Sequence, residues 1–110
     1  MRAEAKTCAT CGRRIEWRRK WADDWHQVRY CSARCRGQRP RGLDRELEAA
    51  IVDLLVDRAA GATICPSEAA RRVDPDGWRN LMPRARSAAR RLVADDRIRI
   101  TQKGRVVDPS

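Results

Sequence analysis

Apolar positions recur at helical spacing most clearly between Leu43 and Ala60, where Leu43, Leu47, Ala50, Ile51, Leu54 and Leu55 share a face. The opposite face is mostly acidic, with Asp44, Glu46, Glu48, Asp53 and Asp57 against Arg45 and Arg58, and Gly61 is the expected stop. Ala62-Thr63-Ile64 reads as a short strand. Cys65-Pro66-Ser67-Glu68 then opens a second helix, because proline suits a first turn and a carboxylate suits a helix N-terminus. That helix runs to about Val73 with Ala69, Ala70 and Val73 on one face, and Asp74-Pro75-Asp76-Gly77 is a turn. A third helix is expected from about Pro83 to Ala94, with an irregular lead-in from Trp78 to Met82. The period then changes to two. Arg97-Ile98-Arg99-Ile100-Thr101 alternates, Lys103-Gly104 turns, and Arg105-Val106-Val107 returns as a hairpin. Three helices closed by a two-stranded hairpin follow the order of a winged helix. Its expected core is Leu47, Ile51, Leu54, Leu55, Ile64, Ala70, Val73, Leu81, Ala85, Ala88, Leu92, Ile98, Ile100 and Val107.

Before Leu43 the pattern is different. Ile15, Trp17 and Trp21 fall on alternating positions, so Arg13 to Trp21 reads as a strand, Ala22-Asp23-Asp24 as a turn and Trp25 to Tyr30 as the return strand. Trp17, Trp21 and Trp25 are also spaced for a short helix, and the sequence leaves both open. Residues 1–7 read as a disordered basic tail. Four of the five cysteines form two close pairs, Cys8/Cys11 and Cys31/Cys35. Two such pairs complete the tetrahedral thiolate shell that Zn2+ takes in structural sites. Gly12 gives the first pair its tight turn, and Cys31 to Arg36 is expected to open a helix facing back to it. Two disulfides would need an oxidising compartment, and Met1 to Thr7 lacks the apolar stretch of a secretory signal. A redox pair would want a βαβ context that is not in sight. His26, the single histidine, is expected at the surface, because four cysteines suffice; with four thiolates no position is left for water, so the zinc is structural. Cys65 has no partner nearby in sequence and reads as a small apolar or capping residue.

The expected architecture is therefore mainly α with small β: a treble-clef-like four-cysteine finger over residues 1–36, a basic linker over 37–42, and a winged helix over 43–110. The stretch from Arg36 to Gly42, R-G-Q-R-P-R-G, has no large apolar side chain and marks the boundary. A finger this small cannot bury a self-sufficient core, which is what a metal staple compensates. Trp17, Trp21, Trp25 and Tyr30 read first as its miniature core and second as a stacking surface for bases.

Charge changes the picture further. The formal net charge is +10, and it is uneven: residues 1–42 hold twelve Lys/Arg against four Asp/Glu, residues 43–110 thirteen against eleven. Such a balance favours anionic partners, nucleic acid first, although an arginine-rich surface from a GC-rich genome would look similar. No apolar run approaches the length of a membrane-spanning helix, so no membrane partner is expected. Free thiols in zinc spacing fit a reducing cytosol, and a cytoplasmic location is expected.

Residues 6–36, through C-x-x-C-G-R-R-I-x-W-R-R-K-W and W-x-x-V-R-Y-C-S-x-x-C-R, resemble a short uncharacterised four-cysteine domain family of bacteria. Residues 43–108, with the T-I-C-P-S-E-A-A-R turn and closing hairpin, resemble a second uncharacterised family with a winged-helix-like fold. The C-S-x-x-C-R half is also similar to the finger of small bacterial gyrase-inhibitor proteins, a finger that grips a protein, although the gap between cysteine pairs is longer here. The resemblance implies a fold and a zinc, and lends no function.

The leading expectation is a nucleic-acid-binding protein of the transcriptional-regulator kind, with DNA ahead of RNA. Metal ligands would be Cys8, Cys11, Cys31 and Cys35. The third helix would present Arg79, Arg84, Arg86, Arg90 and Arg91 on its polar arc, with Arg99, Lys103 and Arg105 on the wing and Arg39 and Arg41 on the linker. The alternative is a protein-interaction module in which finger and winged helix dock on another protein. An enzyme is not expected, because no nucleophile-base set, paired carboxylates, phosphate loop or open metal site can be picked out.

Overall fold

The computed structural model describes residues 4–58, 62–102 and 105–109. In chain order its elements are β1 (Lys6–Thr7), β2 (Arg14–Ile15), α1 (Ala33–Gly37), α2 (Gly42–Val56), α3 (Pro66–Val73), α4 (Met82–Ala94), β3 (Ile100–Gln102) and β4 (Arg105–Val107). Single 3-10 turns occupy Arg19–Trp21, Trp25–Gln27 and Trp78–Leu81.

The C-terminal unit follows the apolar period. Helices α2, α3 and α4 pack on one another around Leu47, Ala50, Ile51, Ala69, Ala70, Leu81, Ala85, Ala88, Ala89 and Leu92. Six of these ten residues are alanine, so the helices approach closely around three leucines and one isoleucine. Leu54, Leu55, Ile64, Val73, Ile98 and Ile100 pack at its margin, as the spacing predicts. The starts of α2 and α3 each have a lock. The Arg41 amide donates to Asp44 Oδ2 at 2.8 Å at the head of α2, and the Cys65 amide donates to Glu68 Oε2 at 2.8 Å at the head of α3. Asp96 sits in the left-handed region at φ 57°, and the Arg97 amide reaches back to the Leu92 carbonyl at 2.9 Å, which closes α4 and aims the chain into the hairpin. There Ile100 pairs with Val107, Thr101 with Val106 and Gln102 with Arg105, antiparallel. Three helices and a hairpin in this order are consistent with a winged-helix-like arrangement.

Two expectations are corrected here. Residues 62–65 form no strand; instead the Thr63 carbonyl accepts from Arg58 Nη1 at 2.8 Å. Helix α2 ends at Val56, earlier than the expected Ala60. The Gly61 stop, the Gly104 turn and Lys103 lie outside the described residues.

The N-terminal unit departs more. Its strands are not Arg13–Trp21 and Trp25–Tyr30 but β1 and β2, which pair Lys6 with Ile15 and Thr7 with Arg14 on either side of the first cysteine turn. Lys6 thus belongs to a strand rather than to a tail. The carbonyls expected to form the return strand are used differently: the Lys6 ammonium takes those of Trp25 and Val28. Trp21 and Trp25 stand on neighbouring 3-10 turns and stack, with ring centroids 5.9 Å apart and planes at 28°. Of the alternating apolar set only Ile15 is buried; Trp17 remains 42% exposed.

Candidate metal centre and basic cleft

Two short pieces of backbone bring the four cysteines together. Between β1 and β2 the Cys8 amide donates to the Arg13 carbonyl at 2.8 Å and the Gly12 amide to the Cys8 carbonyl at 3.0 Å. Gly12 holds φ at +76°, which side-chain-bearing residues rarely adopt. The second pair sits at the head of α1, where Ser32 caps the helix by accepting from the Cys35 amide at 3.2 Å. The Ala9 amide bonds the Arg29 carbonyl at 2.9 Å and Thr10 Oγ1 donates to the Cys35 carbonyl at 2.6 Å, clamping one piece on the other.

The result is a cluster of Cys8, Cys11, Cys31 and Cys35 whose sulfurs all lie within 4.8 Å of one another, with no disulfide. Metal–sulfur bonds of about 2.3 Å in a tetrahedron put sulfurs roughly 3.8 Å apart. Cys11 and Cys31 stand at 3.8 Å, Cys31 and Cys35 at 3.5 Å. The donor set therefore fits a metal ion. Charge argues the same way. Burial pushes the Cys8 thiol up, but the backbone amides of Cys11, Cys31 and Thr10 outweigh it and bring it down to about 7. Desolvation among the other sulfurs pushes Cys31 up to about 12, reinforced by the Cys35 and Cys11 thiols. One thiolate forms readily and further negative charge is resisted, a conflict that a bound dication removes. His26 is exposed and outside the cluster, and Cys65 is exposed at the head of α3.

The finger does not hang free on its linker. It docks on the C-terminal half of α4 through two arginines. Arg91 is only 7% exposed; its Nη1 donates to the Thr10 carbonyl at 2.6 Å, and its Nε and Nη2 bond Glu48 Oε2 at 3.1 and 2.9 Å. Arg90 Nε donates to the Cys11 carbonyl at 2.6 Å. Burial lowers the Arg90 pKa, and neighbouring Arg13, Arg86 and Arg91 lower it further. Gly12 lies so close to α4 that a Cβ there would meet Arg90 Cβ and the Arg91 amide nitrogen, each at 2.6 Å. Arg14 and Asp108 form a second tie, from β2 to the end of the chain.

This corrects the helical-wheel reading. Arg90 and Arg91 share an arc with Arg86, but those two reach into the finger, and only Arg86 of the three is exposed. Arg84 is also engaged, with Nε 3.1 Å from Asp44 Oδ1. Arg79 lies over the Trp78 ring, 4.6 Å from its centroid, and Arg71 lies over the same ring at 4.3 Å. Arg99 and Arg105 are exposed near or on the hairpin.

What docking creates is an open cleft of about 850 Å³ between finger, linker and α4. Arg39, Arg41, Arg84, Arg86, Arg90 and Arg91 from the expected set line it. Arg13 and Arg34, which sequence reasoning passed over, join them; their signal was adjacency to the cysteine turns. Asp44 is the one carboxylate among the lining residues, and Arg84 already pairs with it. No helix among the described residues is long and apolar enough to cross a membrane.

No curated protein matches the chain. Residues 2–38 match the model of a family described as an uncharacterized protein conserved in bacteria (DUF2256). The docked finger and the three-helix unit thus correspond to two bacterial domain families of unknown function. The second model, described as a protein of unknown function (DUF3253), covers residues 44–110, more than half of the chain, and the protein belongs to that family.

Proposed function

We propose that the protein binds nucleic acid, that zinc is the metal its four cysteines hold, and that its role is of the transcriptional-regulator kind. The observation that carries this reading is the cleft, lined by eight arginines of which Arg13, Arg34, Arg39, Arg41 and Arg86 are exposed, while Arg84, Arg90 and Arg91 already hold protein partners. A concave surface of one sign concentrates an anionic polymer and strengthens each contact within it. Arginine forks suit phosphate better than lysine ammoniums do. Zinc is supported by an all-thiolate shell at tetrahedral spacing, and its role is structural, because four protein ligands complete the coordination.

Arg34 and Arg86 are exposed, so their charge can be reversed with little effect on the fold. Arg34→Glu with Arg86→Glu should abolish binding of nucleic acid at low salt while metal content stays at one ion per chain. For the unaltered protein, log K should fall with log salt at a slope of about −4 to −5 if four to six phosphates are engaged. Wild-type affinity in the double variant would overturn the assignment of the cleft. No affinity of the unaltered protein for any nucleic acid at 50 mM salt (an assay condition, roughly where such contacts are strong) would overturn the reading as a whole.

A further inference from the structure

We propose that the cleft takes a single strand rather than a duplex, and that a base of that strand stacks on Trp21. This rests on the nucleic-acid reading above and specifies its ligand.

The docked finger excludes a duplex from α4. An α-helix with side chains is about 10–12 Å across and fills the roughly 12 Å major groove of a duplex. Here the C-terminal half of α4 carries the finger, with Gly12 packed against Arg90 and Arg91. A helix with that load on its flank cannot enter the groove on that face, so the basic arc is not available as a recognition helix for duplex DNA. Its arginines instead wall a concave cleft, which suits a flexible backbone.

The cleft is continuous with an aromatic hollow. Cys31 and Ser32 line the arginine cleft, and they also line a second hollow beside it that contains Lys20, Trp21, Tyr30 and Arg36. Phosphates held in the cleft would therefore deliver the neighbouring nucleotide to an aromatic site. Trp21 is prepared for that use. Its ring is half-buried, backed by Trp25 at 5.9 Å, and Trp25 is itself held by the Lys6 ammonium 4.9 Å from its ring. The Lys20 ammonium and the Arg18 guanidinium lie over the Trp21 ring, 4.9 and 5.8 Å from its centroid, two flexible exposed cations that an incoming base would displace from the ring and meet at its edge. A positive groove with aromatic platforms is the general design of sequence-tolerant single-strand binding.

The test uses the full-length, metal-loaded chain and labelled probes of equal length: oligo-dT, oligo-rU, an abasic deoxyribose strand and a mixed-sequence duplex. Anisotropy should show both base-bearing single strands binding about tenfold tighter than the duplex and the abasic strand, the size expected of one stacked base. The ratio of dT to rU affinity assigns the strand as DNA or RNA. Trp21→Leu should remove that tenfold advantage without changing the salt slope, while Trp21→Phe keeps most of it. The abasic probe carries the question without any substitution, should Trp21→Leu disturb the finger. Equal affinity for abasic and base-bearing strands would overturn the stacking inference, and preference for the duplex would overturn the single-strand inference; both leave the nucleic-acid reading standing. Absence of binding to all four probes would overturn that parent reading instead.

Discussion

The two halves of this chain reach a fixed structure by different physics. The helical unit buries ten side chains in a shared core, six of them alanines. The finger buries one large aliphatic side chain, Ile15, beside the Cys8 sulfur. What replaces an apolar core in the finger is polar and local: carbonyls satisfied by Lys6, a serine cap, and four sulfurs gathered at metal distance. The joint between the halves resembles neither. It is made of guanidiniums reaching backbone carbonyls, with the charge of Arg91 balanced by Glu48. A small domain without a core can still be held rigidly to its neighbour, provided the neighbour supplies the donors.

The strongest way to break the comparison is to remove the metal. Structural zinc contributes about 10–16 kcal/mol of folding free energy in finger peptides. Chelation under reducing conditions should therefore collapse residues 8–36 and leave the three-helix unit folded. Near-ultraviolet circular dichroism should lose the Trp21–Trp25 signal, while far-ultraviolet dichroism retains most of its helical intensity. An unchanged near-ultraviolet spectrum after the metal has been stripped would show that the finger holds itself together.

Next in size is the joint. Arg91→Met removes one partner of a buried ion pair and leaves the Thr10 carbonyl without its donor. Breaking such a pair costs about 3–5 kcal/mol, and Arg45, whose Nη1 stands 2.9 Å from Glu48 Oε2, should hold the loss near the lower end. Urea unfolding should show that loss in the helical unit and a finger that melts separately. Unaltered, single-step unfolding would mean that the joint contributes nothing to coupling the halves.

The helical unit was the more legible half because its signals are periodic and redundant. Leu47, Ile51, Ala85, Ala88 and Leu92 recur at helical spacing, and Pro66 with Glu68 announces the head of α3. In the finger, the cysteine spacing located the candidate metal centre, since two close thiol pairs suit one tetrahedral ion. The strands were misplaced because alternation of Ile15, Trp17 and Trp21 has more than one cause, and here Trp21 faces a stack with Trp25 while Trp17 is exposed. The roles of Arg90 and Arg91 were illegible for a deeper reason. A helical wheel shows that they oppose the leucine face, but not that a distant segment supplies carbonyls for them. The one hint was Gly12, whose small size serves both its own turn and the approach of α4.

That hint gives a third, smaller prediction. Gly12→Ala must pay for a left-handed backbone and for a Cβ 2.6 Å from Arg90 Cβ and from the Arg91 amide. Strain of this kind costs about 1–3 kcal/mol. The loss should appear in the finger–helix joint, so the Thr10–Arg91 contact loosens and hydrogen exchange at residues 10–12 and 90–91 speeds up, with metal still bound. Metal release from the variant would instead place the strain in the cysteine turn.

The smallest effect belongs wholly to the helical unit and serves as its control. Glu68 accepts from Arg58 and, at 2.8 Å, from the Cys65 amide. The Arg58 hydrogen bond, followed by the Cys65 amide, holds the Glu68 carboxyl below its ordinary range. A lowered folded-state pKa means that the fold favours the ionised form. The contribution is therefore complete above the usual carboxylate range and fades as pH falls through the lowered value. Glu68→Gln keeps an oxygen for the Cys65 amide and removes only the charge. Both side chains of the pair are 34% exposed, so solvent screens the interaction and the change should be modest. Thermal melts should place the variant slightly below the unaltered protein at neutral pH, with the gap closing on acidification and narrowing in high salt. The finger, which shares no contact with this pair, should keep its metal and its near-ultraviolet signal throughout. A gap that persists at acid pH would show that the carboxyl acts through its shape and cap bond, and not through its charge.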